Sequence, residues 1–192
     1  RGRHREAIAR NGIHVETRDG MFTAYPESVA EDSADVGPVD GVLLAVKAWQ
    51  VPGAAQRLLP LLASHTQVLP LQNGVEAADQ VAAAVGRSRT LMGLCRIVCL
   101  LREPGTVRHV AVTPTVSLGE LDGTSLSPSA AMLASSLQNA GVVVERPSDI
   151  RSALWQKLIF ISALSGMGAV SRSTVGEVRE CPATRELLVG LM

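Results

Sequence analysis

Short apolar runs alternate with helix-patterned segments through the first three quarters of this chain, and nothing else in it restricts the fold as strongly. Val42-Leu43-Leu44-Ala45-Val46, introduced by Asp40-Gly41, offers no polar residue to either face of a strand. Such a strand must be covered on both sides, which is what helices packed on both faces of a parallel sheet provide. Helical patterns fall at residues 5–11 (ending at Gly12), Gly53 to Leu62, Val75 to Val85, and Pro128 to Asn139, with Gly141 as a C′ glycine. Further strands are expected at Ile13 to Glu16, alternating like an edge strand, and at Gln67 to Leu71, where Pro70 forfeits a ladder hydrogen bond. Thr90 to Leu101, Val107 to Val112 and Thr115 to Leu118 read as strands turning at Pro104-Gly105, and predict local antiparallel additions to a mostly parallel sheet. Val142 to Glu145 is the last strand. After Arg146-Pro147-Ser148-Asp149 the pattern is helical only: residues 150–170 capped by Asp149, a short helix at 174–180, and another from Pro182. The expected organisation is an α/β sheet domain over residues 1–148 and the start of an all-helical domain over 149–192.

Composition removes several function classes. Eighteen basic and 18 acidic residues balance in a chain that is 46% hydrophobic, so a real core is affordable and the basic footprint of a nucleic-acid binder is absent. Cys95, Cys99 and Cys181 form no C-x-x-C pair, which argues against a disulfide framework or a zinc site and for a reducing cytoplasm. Leu158 to Val170, the longest apolar stretch, is shorter than the roughly 20 residues a membrane span needs, so no membrane role is expected. No signal-peptide pattern follows Arg1-Gly2-Arg3-His4-Arg5-Glu6. The lack of an initiator Met and the broken-off pattern at Met192 read as a piece of a longer protein.

In open α/β sheets ligands bind beyond the carboxyl ends of the strands. Lys47 directly follows Val42 to Val46, and Asn73-Gly74 directly follows the next strand, so two polar groups reach the same edge. Lys157 is the third candidate, because Ala153-Leu154-Trp155-Gln156-Lys157-Leu158-Ile159-Phe160-Ile161 sets an ammonium on the stripe of Leu154 and Ile161. From position alone the leading reading is that its stem covers apolar surface and carries the charge to solvent. Other constellations fail: the four histidines show no i, i+4 pair, Ser165 lacks the glycine of a nucleophile elbow, and no phosphate-cradling glycine loop occurs.

Taken together, Val46-Lys47-Ala48-Trp49-Gln50-Val51, Gln72-Asn73-Gly74-Val75, Leu91-Met92-Gly93 and Ala153-Leu154-Trp155-Gln156-Lys157-Leu158 resemble, in order and spacing, the ketopantoate reductase (2-dehydropantoate 2-reductase) family. The likeness covers nearly the whole chain. It implies a Rossmann-like sheet domain followed by a helical domain, and reduction of a 2-keto acid by NADPH in the cytoplasm, in the family as a step of pantothenate biosynthesis. By the same likeness Lys157 is the catalytic lysine and Asn73 sits between nicotinamide and substrate. Arg1 meets the 2′-phosphate of NADP, Lys47 lies over the cofactor, and the backbone near Cys99 lines its groove. A homodimer stays open as an assembly.

Three departures modify these expectations. Ile161, Ser165 and Val175 stand where characterised members of the family carry asparagines, so Ile161 and Ser165 would line a substrate site stripped of amides. A pocket without them loses its means of recognising a substrate hydroxyl, which points to a 2-keto acid other than ketopantoate. The first strand with its glycine loop, and the family's later serine and glutamate, fall outside these 192 residues, so weak NADPH binding and little turnover are expected of this piece alone. A homologue that binds the dinucleotide without catalysis is the alternative reading.

Overall fold

The computed structural model describes residues 2–123 and 125–192. Helix α1 (Gly2–Asn11) leads into a hairpin of β1 (Ile13–Thr17) and β2 (Gly20–Ala24). The elements β3 (Val39–Leu44), α2 (Val51–Gln56), β4 (Leu62–Pro70) and α3 (Ala77–Val85) follow as a β-α-β-α succession with β3 and β4 parallel. Then come the long hairpin β5 (Leu91–Glu103) and β6 (Thr106–Glu120), α4 (Pro128–Asn139) and β7 (Val143–Glu145). From there on the chain is helical: α5 (Ile150–Ser171), α6 (Val175–Glu180) and α7 (Pro182–Gly190).

Strand β6 organises the sheet. It pairs antiparallel with β5 along one side, and on the other side runs parallel to β7 at Thr115–Ser117 and to β1 at Thr106–Arg108. The β3-β4 pair adjoins β5 through a parallel bridge from Val68 to Thr90. The β3-β4, β1-β6 and β6-β7 pairs are parallel and the β1-β2 and β5-β6 pairs antiparallel, the long β5-β6 hairpin being an antiparallel addition of the kind the sequence led us to expect.

Alternation along β5 and its neighbours sorts the core onto two faces. Leu91, with Leu69, Val116 and Leu118, meets Ala130, Ala134 and Leu137 of α4. Met92 and Leu94 point the other way, against Ala78 and Ala82 of α3 and Ile150 and Leu154 of α5. A third cluster joins Val51, Ala55 and Leu58 to Val68, Val81 and Val85. The second half of α5 leaves the sheet and packs Ala163 and Met167 against Val178 of α6 and Leu188 of α7. The result is a mixed α/β, Rossmann-like sheet domain followed by a helical one, with α5 running from one into the other.

Several boundaries differ from the sequence expectation, each for a local reason. Strand β1 is not an edge, because β2 flanks it on one side and β6 on the other. Most of β2 is exposed, so it has no burial alternation to reveal it. The expected break between Val107–Val112 and Thr115–Leu118 does not occur; β6 continues through it, with Val112 at φ 54° and register shifts around Val98 opposite. Pro70 is the last residue of β4, where its missing N–H interrupts nothing. Helix α2 stops at Gln56, ahead of a 3-10 turn at Leu59–Leu61 that contains Pro60. Helix α5 has 22 residues and, by length and composition, would reach across a membrane, so the stretch from Leu158 to Val170 understated it. Its Ile150 and Leu154 are instead packed into the sheet core.

Candidate active site

The ends of β3 and β4 are locked side by side. The buried Gln72 side chain donates from Nε2 to the carbonyls of Leu44 (2.7 Å) and Val46 (3.0 Å), and the Leu71 N–H donates to Leu44 O (3.0 Å). Lys47 and Asn73 therefore leave the sheet at one edge, next to each other in the fold. Lys47 is exposed, and its N–H donates to Gln50 Oε1 (3.1 Å), which starts the turn into α2. Gly74 follows Asn73 at φ 117°, a conformation that costs any residue with a Cβ.

Helix α5 brings the third group. Asp149 caps it by accepting from Ser152 N (2.9 Å), and Ile150 and Leu154 seat its first turns on the sheet. Three residues after Leu154 the same stripe carries Lys157 past the apolar contact, where Nζ donates a hydrogen bond to the backbone carbonyl of Cys95 on β5. A cavity of about 640 Å³ opens here, and Lys157, Asn73, Ile161, Phe160, Arg96 and Cys95 are among the residues lining it. Partial burial lowers the Lys157 pKa from the ordinary lysine value, and the nearby Arg96 charge lowers it further, against an opposing contribution from Cys95. Burial likewise pushes the Cys95 thiol up, against the opposing Lys157 charge.

Of the residues singled out in the sequence, Lys157, Asn73 and Ile161 meet in this one cavity. Lys47 stands at the same sheet edge but not in the cavity wall. Cys99 is exposed one residue beyond Val98, the last β5 residue to line the cavity, and Ser165 is exposed one turn further along α5 than Ile161. Val175 opens α6 and is exposed. Arg1 lies outside the described residues. A larger hollow of about 820 Å³ runs beside β3 and is lined by Leu44, Trp49 and Arg57 among others; it holds none of the three convergent groups.

Arg96 was missed by sequence reasoning. It continues the Met92–Leu94 face of β5 toward α5, its Nη1 donates to Glu145 Oε2 (2.8 Å), and Ser117 Oγ donates to the same oxygen (2.8 Å). Those two bonds, Ser117 first, hold the Glu145 carboxyl below its ordinary pKa. The signal was available: a cation ending an apolar strand face is as conspicuous as one on an apolar helix stripe.

Lys157 from α5 and Asn73 from beyond the end of β4 thus line one cavity. The family model described as Ketopantoate reductase PanE/ApbA matches residues 1–123, and Ketopantoate reductase PanE/ApbA C terminal matches residues 149–192. A 2-dehydropantoate 2-reductase of Mesorhizobium japonicum is 30% identical over 212 residues, covering 100% of this chain and 64% of that protein. Among solved structures, 2-dehydropantoate 2-reductase from Porphyromonas gingivalis superposes with a TM-score of 0.88 at 26% identity, over 100% of this chain and 66% of that one. The enzyme of the same name from Geobacter metallireducens gives 0.87 at 28% identity, over 95% and 60%. The chain thus spans less than two thirds of the length of these relatives. With family models matched on both the sheet part and the helical part, the chain belongs to the ketopantoate reductase family.

Proposed function

We propose that the full-length protein reduces a 2-keto acid to the 2-hydroxy acid with NADPH, in the manner of a 2-dehydropantoate 2-reductase. The observation that carries this reading is the convergence of Lys157 and Asn73 on one cavity from separate parts of the fold. The strand-end groups fit a dinucleotide: Lys47 offers an exposed cation and Asn73 an amide at one sheet edge, locked there by Gln72, whose own Oε1 is buried without a hydrogen-bond partner among the described residues. Arg1 is assigned to the 2′-phosphate, which is the basis for choosing NADPH over NADH.

NADPH, when bound, supplies the hydride that adds to the C2 carbon. Asn73 orients the carbonyl from the sheet side. Lys157 stands ready with a charged ammonium that has left bulk water only in part, so its attraction for the oxygen as it gains negative charge exceeds what it would be in water. Nζ then passes a proton to that oxygen, giving the hydroxyl, and regains one from solvent. The Cys95 carbonyl holds the ammonium until substrate arrives.

Ile161, in the cavity wall, favours a keto acid whose third substituent has no hydroxyl over ketopantoate itself. The test is NADPH oxidation by the full-length protein across 2-keto acids graded by branching and hydroxyl content. Turnover highest with hydroxyl-free branched acids is the expected result. NADPH binding with no turnover on any keto acid would overturn the proposal and favour a non-catalytic dinucleotide-binding homologue.

A further inference from the structure

The cavity that holds Lys157 carries more positive charge than carbonyl chemistry requires. Among the described residues its lining includes two cations, Lys157 and Arg96, and no carboxylate; the rest are apolar or neutral. Both cations end apolar runs that are packed on each other, Met92–Leu94–Arg96 on β5 and Ile150–Leu154–Lys157 on α5, so they emerge together where that contact opens. Glu145 compensates the Arg96 charge from outside the cavity, and an anion inside it would complement Lys157 together with the remaining guanidinium donors of Arg96.

We propose that Arg96 binds the carboxylate of the keto acid while Lys157 addresses the neighbouring C2 oxygen. This rests on the keto acid reductase reading and names the residue that recognises the acid group. The division of labour follows from side-chain chemistry. A carboxylate presents two oxygens in one plane, which a guanidinium meets with two parallel N–H donors, whereas an ammonium acts as a compact point charge and proton source. Glu145 takes only the Nη1 side of Arg96, and a guanidinium carries five N–H donors. Glu145 is itself held by Ser117, so it ties Arg96 across β6 to β7 without lining the cavity. The Arg96 side chain is 49% exposed and open to a ligand from the cavity side. C1 and C2 of a keto acid are bonded neighbours, and the two cations approach one cavity from strand and helix, so one small molecule engages both.

The test compares a keto acid with its methyl ester in the full-length protein, because the ester keeps the reacting carbonyl and removes the negative charge. Arg96→Leu should raise KM for the acid about 30-fold or more and lower kcat/KM for the ester far less than for the acid, both compared at one pH well below the alkaline limb of activity. Arg96→Lys should recover part of the loss for the acid, since it restores charge but not the paired donors. Were Arg96 only a tie between β5 and β7, acid and ester would suffer alike, and that result would overturn the assignment. An unchanged KM for the acid would overturn it as well. If the wild-type protein reduces no keto acid at all, the functional reading falls first and this inference with it. If it reduces them and Arg96→Leu is silent, the inference alone falls.

Discussion

Lys157 is held by opposing demands. Leu154 and Ile161 on its stripe draw the helix face toward protein, the ammonium requires a polar partner, and the Cys95 carbonyl satisfies it at the one level where strand and helix diverge. Partial burial and then Arg96 lower its pKa from the ordinary lysine value. In the proposed role Lys157 works while protonated, so activity is expected below that lowered pKa and is lost as pH rises through it. The kcat profile should therefore show an alkaline limb below the ordinary lysine range. Arg96→Leu removes a neighbouring positive charge and should move that limb upward. A limb that stays fixed in the variant, measured at saturating substrate, would show that the ionisation belongs to another group.

At the scale of elements, the site depends on how closely β4 and β5 approach. A Cβ on Gly93 would strike the Pro70 carbonyl and come within 2.6 Å of Leu69 Cδ1, both in the sheet core, where backbone has no room to yield. Gly93→Ala should cost about 1–3 kcal/mol in chemical denaturation. Gly53→Ala, in α2 with open space around the added carbon, should instead gain about 0.5–1 kcal/mol. Helix positions were the most legible elements because their signals are local: Ser127 and Pro128 open α4, Asp149 caps α5, and Thr174 caps α6 with Glu177 reaching back. Strand identity was less legible because pairing is decided far along the chain. Nothing in Gly20–Ala24 says that β1 will use β6 as its other partner, and nothing in Thr113-Pro114 says that β6 will run on through a residue at positive φ. The candidate site shared this division. Lys157, Asn73 and Ile161 could be found from a strand end, a helix stripe and a family likeness, whereas Arg96 became meaningful only when the shared face of β5 and α5 was known.

For the whole molecule, the decisive feature is that the cavity takes one wall from the sheet and one from the first long helix after it. Asn73 and Arg96 come with the sheet, and Lys157, Phe160 and Ile161 come with α5, so Lys157 is placed by packing rather than by a loop. The same helix continues into the cluster with α6 and α7, which ties the position of Lys157 to the helical part as well. The central claim of the proposed function is that Lys157 donates the proton in keto acid reduction. The most direct test is steady-state NADPH oxidation by the full-length protein with its best 2-keto acid, comparing wild type with Lys157→Ala and measuring NADPH binding in parallel. The account predicts a fall in kcat of about 10²–10⁴-fold with NADPH affinity unchanged within a few-fold; turnover in Lys157→Ala equal to wild type would contradict it.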